Sequence, residues 1–357
     1  MMNTANSVHT TVNTEVDIRK TGLDPDFWYP VARASDLKID KAKAVSFAGK
    51  SIVLVRPKDD RVFALENKCA HRQVPLHVGA VKNNRIKCGY HGWEYDSSGQ
   101  CVNIPYLRDC KNPKNKVANY SVQEKYGFIF VFPGKKSAAE KVPFPKIPSA
   151  LNDNYKTRYL DRRIDCHYSF MHENLMDMNH QFLHRRLMGG IKTIFLETRQ
   201  GENWVETDYT FKRNTGKQPL GEKFMLGRRP ANTKPKERDL MTIRTEYPYQ
   251  TLKFWTAGSS DPALDLWNAY IPLDSAQRSN HTFGLMMIKR PSLGFLLDIF
   301  WPFIVWFTNG IFAEDRWICE LEQQAFDHQG EDQNREIFPA IIQLRQVLTN
   351  NGVPIDK

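Results

Sequence analysis

Cys69-Ala70-His71, then sixteen residues, then Cys88-Gly89-Tyr90-His91-Gly92-Trp93: this stretch decides the reading of the chain. Two cysteines and two histidines in two short loops make a metal site by composition. Zinc knuckles usually bracket their ion with C-x-x-C or H-x-x-x-H arms. Here each arm supplies one thiolate and one imidazole, as C-x-H and C-x-x-H. That division suits an asymmetric [2Fe-2S] cluster, with both thiolates on one iron and both imidazoles on the other. Neutral imidazoles remove negative charge from their iron and raise its reduction potential. Gly79, Gly89 and Gly92 let backbone come close to the sulfurs. His77 lies between the arms but has no partner spacing, and reads as structural.

Around the arms the sequence is rich in short β-forming runs. Phe27–Arg33, Ser51–Arg56, Val62–Glu66 and Phe128–Phe132 carry Val, Ile, Phe, Trp and Tyr. Asp59-Asp60 and Ser97-Ser98-Gly99 have the chemistry of hairpin turns. The spacing predicts an all-β domain over residues 25–135, a small sandwich or barrel, after a polar tail over 1–24. A Lys- and Pro-rich linker follows over 136–150, with Pro143, Pro145 and Pro148. Residues 151–357 alternate helical stretches, around Tyr168–Leu187 and Glu336–Thr349, with strand-like runs such as Trp204–Phe211 and Thr282–Ile288. The fold class expected is α+β, with helices around a central antiparallel sheet in the second domain.

That second domain needs its own chemistry, and Glu173 to His184 supplies a candidate. His180 and His184 are four apart, so on an unbroken helix they share a face, and Asp177 joins it three residues earlier. Two imidazoles and one carboxylate make the facial triad of non-haem Fe(II) oxygenases, leaving positions open for oxygen. His167 and His172 have no histidine four residues on and read as structural. Asp177 has a second reading, as acceptor from the other ring nitrogen of His180.

Composition excludes some classes. Apolar residues make up 41% and charged residues 25%, as in an ordinary globular chain. The net charge of +10 favours acidic partners, but no nucleic-acid signature accompanies it. Residues Phe211–Arg238 concentrate the basic charge and suit docking of an acidic electron donor or a plain solvated loop. Six cysteines are too few for a disulfide scaffold, so Cys101, Cys110, Cys166 and Cys319 are expected as free thiols in a reducing compartment, the cytoplasm. Leu293–Phe312 is twenty residues long with only Asp298 charged. It is long enough to span a bilayer but reads as a buried helix or a greasy rim beside an apolar pocket, with a span or contact to a membrane surface as the alternatives. Phe182, Leu183, Met188, Trp255, Phe283 and Met286 are candidate pocket walls.

The arms Cys69-x-His71 and Cys88-x-x-His91-Gly92-Trp93 resemble the Rieske domain of the ring-hydroxylating and O-demethylating oxygenases. The resemblance runs from Asp24 to Gly352 and is nearest to the terminal oxygenase subunits that work without a second subunit type. It implies a cluster on Cys69, His71, Cys88 and His91. The family pattern Asn-x-x-Asp-x-x-His falls on Asn174, Asp177 and His180, and implies a bridging role for Asp177 toward a cluster histidine of a neighbouring copy in a homotrimer. Many members place four residues between the two histidines, whereas this chain has three. Ala313–Glu320 resembles the family's late Glu-Asp segment and implies Asp315 as third ligand beside His180 and His184, with Glu314 as the alternative. The implied function is a terminal oxygenase that takes electrons from the cluster, activates O2 at a mononuclear Fe(II), and hydroxylates or demethylates an apolar aromatic or polycyclic substrate. The chain shows no NAD(P)H or flavin fingerprint, so a separate reductase or ferredoxin is expected. The alternatives are a Rieske electron carrier without oxygenase activity and a zinc module.

Overall fold

The computed structural model describes residues 17–107, 115–213 and 239–355. The elements of its first half are strands joined by loops and short 3-10 turns: β1 (Thr21–Gly22), β2 (Tyr29–Arg33), β3 (Lys41–Phe47), β4 (Lys50–Arg56), β5 (Phe63–Glu66), β6 (Ala80–Lys82), β7 (Arg85–Lys87), β8 (Glu94–Tyr95), β9 (Cys101–Asn103), β10 (Asn119–Lys125) and β11 (Phe128–Phe132). A six-stranded antiparallel sheet runs β2-β11-β10-β5-β4-β3, and β6 to β9 form a smaller one. The sequence of β4 shows why they pack. Successive side chains leave a strand on opposite faces. Val53 and Val55 join a cluster with Leu76, Ile86 and Tyr95 on the small sheet's side, while Ile52 and Leu54 join the main core. Apolar runs such as Ile-Val-Leu-Val mark a strand buried on both faces.

The second half is built on β12 (Tyr155–Ile164), β13 (Ile191–Gln200), β14 (Trp204–Arg213), β15 (Leu240–Glu246), β16 (Tyr249–Trp255), β17 (Leu264–Pro272) and β18 (Asn280–Lys289). They form one antiparallel sheet in the order β12-β18-β17-β16-β15-β14-β13. The final strand, β19 (Val353–Pro354), returns to pair with β1. Among the described residues four α-helices accompany the large sheet: α1 (Tyr168–Met176), α2 (Arg185–Met188), α3 (Phe295–Gln329) and α4 (Pro339–Asn351). α1 packs on α3, α4, β15 and β17. α3 ends at Gly330, whose left-handed φ of 79° lets its N–H close on Phe326 O.

One core runs through both halves. Phe128 of β11 meets Phe283 of β18 edge-to-face at 5.5 Å, and Phe130 lies 6.3 Å from Trp267 of β17. Residues 136–150 are fastened to the first half. Phe144 packs on Trp28 and Phe130, and Ile147 N–H donates to Tyr126 Oη.

Two expectations are corrected. Tyr168–Leu187 is not one helix: α1 stops at Met176, a 3-10 turn covers Met178–Phe182, and α2 is a separate short turn. The cause is Asp177. Its backbone is extended, at φ −88° and ψ 93°, and its carboxylate accepts from Asn179 N–H to cap the next turn. A short acid that satisfies backbone donors locally competes with helix continuation. Leu293–Phe312 is not a buried helix: it is the first part of α3, which starts at Phe295 and runs on through the acidic segment, and most of that part is not buried. Most of the basic stretch 211–238, and Cys110, lie outside the described residues.

Candidate functional site

The two metal-site arms are loops held shut by their own backbone. Cys69 N–H donates to Val74 O, and Cys88 N–H donates to Trp93 O. The arms meet where Gly79 and Gly89 lie back to back. A Cβ on Gly79 would sit 2.0 Å from Lys87 O, so only glycine allows the approach. Cys69 and Cys88 are buried free thiols, whereas His71 is exposed and His91 half-buried. The two imidazole rings lie 4.6 Å apart, and Trp93 stacks on His71 at 4.8 Å with ring planes 1° apart. His77 is tied to Asn67, as a structural residue would be. One residue escaped the sequence reading. Tyr95 on β8 accepts from Ala70 N–H at 3.0 Å, which leaves its own proton for Cys69 Sγ at 3.2 Å. Burial and the neighbouring Cys69 raise the Tyr95 pKa, so it stays a donor.

The second site lies where α1, the 3-10 turn and α3 converge. His180, His184 and Asp315 each offer one ligand atom, and these atoms lie within 4.8 Å of one another. Asp315 Oδ1 is 3.2 Å from His184 Nε2 and 3.8 Å from His180 Nε2. The other ring nitrogens are occupied. His180 Nδ1 meets the backbone carbonyl of Asp177 at 2.6 Å, and His184 Nδ1 meets Glu314 Oε2 at 2.7 Å. The carbonyl of Asp177, and not its carboxylate, thus takes His180 Nδ1, while the carboxylate accepts from Asn179. Glu314 therefore sits behind His184 rather than among the converging atoms. Asn174 donates to Asp315 Oδ1 at 3.0 Å. Burial lowers the His184 pKa, but the carboxylates of Asp315 and Glu314 outweigh it, and the pKa lies above the ordinary histidine value. Buried His184 Nε2 has no hydrogen-bond partner. An orphaned imidazole nitrogen beside two other converging donors fits a cation.

An apolar pocket adjoins these atoms, lined by Leu160, Ile164, Leu175, Leu266 and Phe312 beside Asn174 and Asp315. The expected walls are absent from it. Phe182 is exposed, and Phe283 lies on the sheet's opposite face, against Phe128.

Two family models match the chain, one over each half. Residues 27–121 match the Rieske [2Fe-2S] domain, and residues 164–349 match the vanillate O-demethylase oxygenase C-terminal domain. The chain belongs to the Rieske non-haem iron oxygenases. The 4beta-methylsterol monooxygenase of Methylococcus capsulatus is 30% identical over 92% of this chain and 89% of its own length. The vanillate O-demethylase oxygenase subunit of a Pseudomonas species is 34% identical over 45% of each chain. The chain thus matches under half the length of the latter relative. In fold it is similar to dicamba monooxygenase bound to 3,6 dichlorosalicylic acid, with a TM-score of 0.73 and 21% identity over 92% of this chain and 98% of that one. The chain is thus a Rieske-type oxygenase, and its relatives dicamba O-demethylase and vanillate O-demethylase are named as an oxygenase component and an oxygenase subunit. Its cofactors are a [2Fe-2S] cluster and a mononuclear iron. Both donor sets fit: two buried free thiols with two adjacent imidazoles, and three converging N/O donors.

Proposed function

We propose that Cys69, His71, Cys88 and His91 in the 25–135 domain hold the cluster, and that His180, His184 and Asp315 in the 151–357 domain hold the iron. The observation that carries this reading is the convergence of three ligand atoms within 4.8 Å beside an apolar pocket. When bound, the cluster stores an electron and the iron activates O2. The chain's own residues do the rest. Asn174 fixes the Asp315 carboxylate, and the Asp177 carbonyl and Glu314 fix the two imidazoles. Leu160, Ile164, Leu175, Leu266 and Phe312 orient an apolar substrate and keep water from it.

The substrate class we favour is polycyclic, and the reaction monooxygenation. Both are supported by the relative that matches along most of the chain, which is named a methylsterol monooxygenase. The electron donor is a separate NAD(P)H-dependent reductase, directly or through a ferredoxin. The assembly is a homotrimer in which His71 or His91 of one copy approaches Asp177 of the next; exposed His71 and half-buried Asp177 are both available for that contact. Free Cys166 and Cys319 suit the cytoplasm, and contact with a membrane surface through residues 293–312 belongs to the same reading.

Iron and sulfide analysis with EPR of the reduced protein tests the two-site layout. About three irons per chain are expected, two in the cluster and one outside it. His180→Ala should lose the third iron and all oxygen uptake while keeping the cluster signal. A third iron retained in that variant overturns the assignment.

A further inference from the structure

The first half of α3 is apolar apart from Asp298, Thr308 and Asn309. Its inner side is accounted for: Leu297 and Ile304 are buried in the core, and β12 runs beneath it. Arg158 donates to Val305 O and to Asn309 Oδ1, and Lys156 lies over Trp301. The outer side is bare. Phe295, Ile299, Phe303 and Trp306 follow one another at helical spacing and are 59%, 63%, 56% and 62% exposed. Only 11% of the helix's most apolar stretch is buried within the chain. A helix that is hydrophobic all round is normally covered all round.

Three observations say what covers this one. The helix cannot cross a bilayer, although twenty residues of helix reach about 30 Å. The bonds from Arg158 hold its middle sideways on the sheet, and Asp315 on its next turn belongs to the iron site. Its charge is already arranged for an anionic surface. Asp298, the single acid in 293–312, is paired by both Lys156 and Arg290, which hold its carboxyl below the usual range and leave the group net positive. At the far end, Leu187 of α2 packs on Gly310, and exposed Arg185 and Arg186 stand beside it. Aromatic and aliphatic side chains on one face with cations at both ends are the pattern of a helix lying in a lipid interface. Phe312, which lines the pocket, follows Trp306 by six residues and turns to the inner side of the same helix, against Arg158 and Arg162.

We infer that Phe295, Ile299, Phe303 and Trp306 of α3 form an interfacial anchor that rests on an anionic lipid bilayer. The anchor deepens the membrane contact proposed above and rests on the oxygenase reading only through Asp315, which ties α3 to the iron site.

The test uses the full-length, cluster-loaded protein and vesicles of phosphatidylcholine alone or with phosphatidylglycerol. The protein should sediment with the mixed vesicles, less with the neutral ones, and less in high salt. Ile299→Glu with Phe303→Glu should weaken binding about a hundredfold, roughly tenfold for each apolar side chain replaced, with an unchanged thermal unfolding midpoint. Protein that stays in the supernatant with both vesicle types, or a double variant that binds as well as the parent, overturns the anchor. A double variant that changes the oligomeric state, in a protein that ignores vesicles, assigns the face to a second copy and also overturns it. Vesicle binding is read without turnover, so a failed iron site leaves it intact, and a failed anchor leaves the iron content intact.

Discussion

Asn174 Nδ2 donates at 3.0 Å to the same Asp315 oxygen that lies nearest the two imidazoles. The bond joins α1 to α3 across the iron site. It also fixes which way the carboxylate points, because an acid held by an amide N–H cannot swing freely. Asn174→Ala should therefore lower iron affinity about ten- to a hundredfold, the usual cost of losing a group that orients a metal ligand. Titration of metal-free protein with ferrous iron checks this, with the cluster absorbance as control. Unchanged affinity would mean that the α3 backbone alone orients Asp315.

Glu314 and Asp315 are neighbours in sequence with different partners. Asp315 faces Nε2 of His184 and Glu314 faces its Nδ1. Asp315→Ala removes a ligand, and the third iron should be lost altogether. Glu314→Ala removes only the acceptor that holds the ring, and should cost about tenfold in affinity. The opposite order of severity would make Glu314 the ligand.

The cluster arms were legible because their four donors sit within a short local span, where spacing alone speaks. The His180/His184 pair was legible for the same reason, although the helix that the spacing suggested is interrupted at Asp177. What stayed hidden depends on distant chain. Nothing near Glu314 announces His184, and Tyr95 looked like an ordinary strand aromatic until the fold brought it to Cys69. Phe283 was misplaced through strand parity. Leu160 and Ile164 on β12, with Leu266 on β17, share the face that looks at α3, while Phe283 leaves by the other face to meet Phe128. A sheet covered on both sides reads as apolar throughout, so composition could not say which face was which.

Tyr95→Phe keeps the ring and deletes the O–H that reaches Cys69 Sγ. A donor to a thiolate favours the more negative, reduced state. If the bond is worth about 1 kcal/mol more in that state, the one-electron potential should fall by about 40 mV. A redox titration followed by the cluster's visible spectrum reads the change. A potential equal to that of the parent would show that the hydroxyl serves Ala70 N–H alone.

His172 carries a pH dependence whose sign can be worked out. Its ring is fully buried beside Tyr270, with Nδ1 on Thr245 Oγ1, and burial pushes its pKa down to about 3. An unfolded histidine takes up its proton near pH 6.5. Between those values the unfolded chain holds one proton more, so stability is full above about pH 6.5 and falls with acid by about 1.4 kcal/mol per pH unit. His167, also fully buried and lowered by burial, acts in the same direction. His172→Gln keeps polar atoms near Thr245 and removes one of the two titrations. Urea unfolding between pH 7 and 5 should then show a slope shallower by about one proton. A slope unchanged from the parent would mean that His172 is already protonated in the fold, and that its buried contacts have been misassigned.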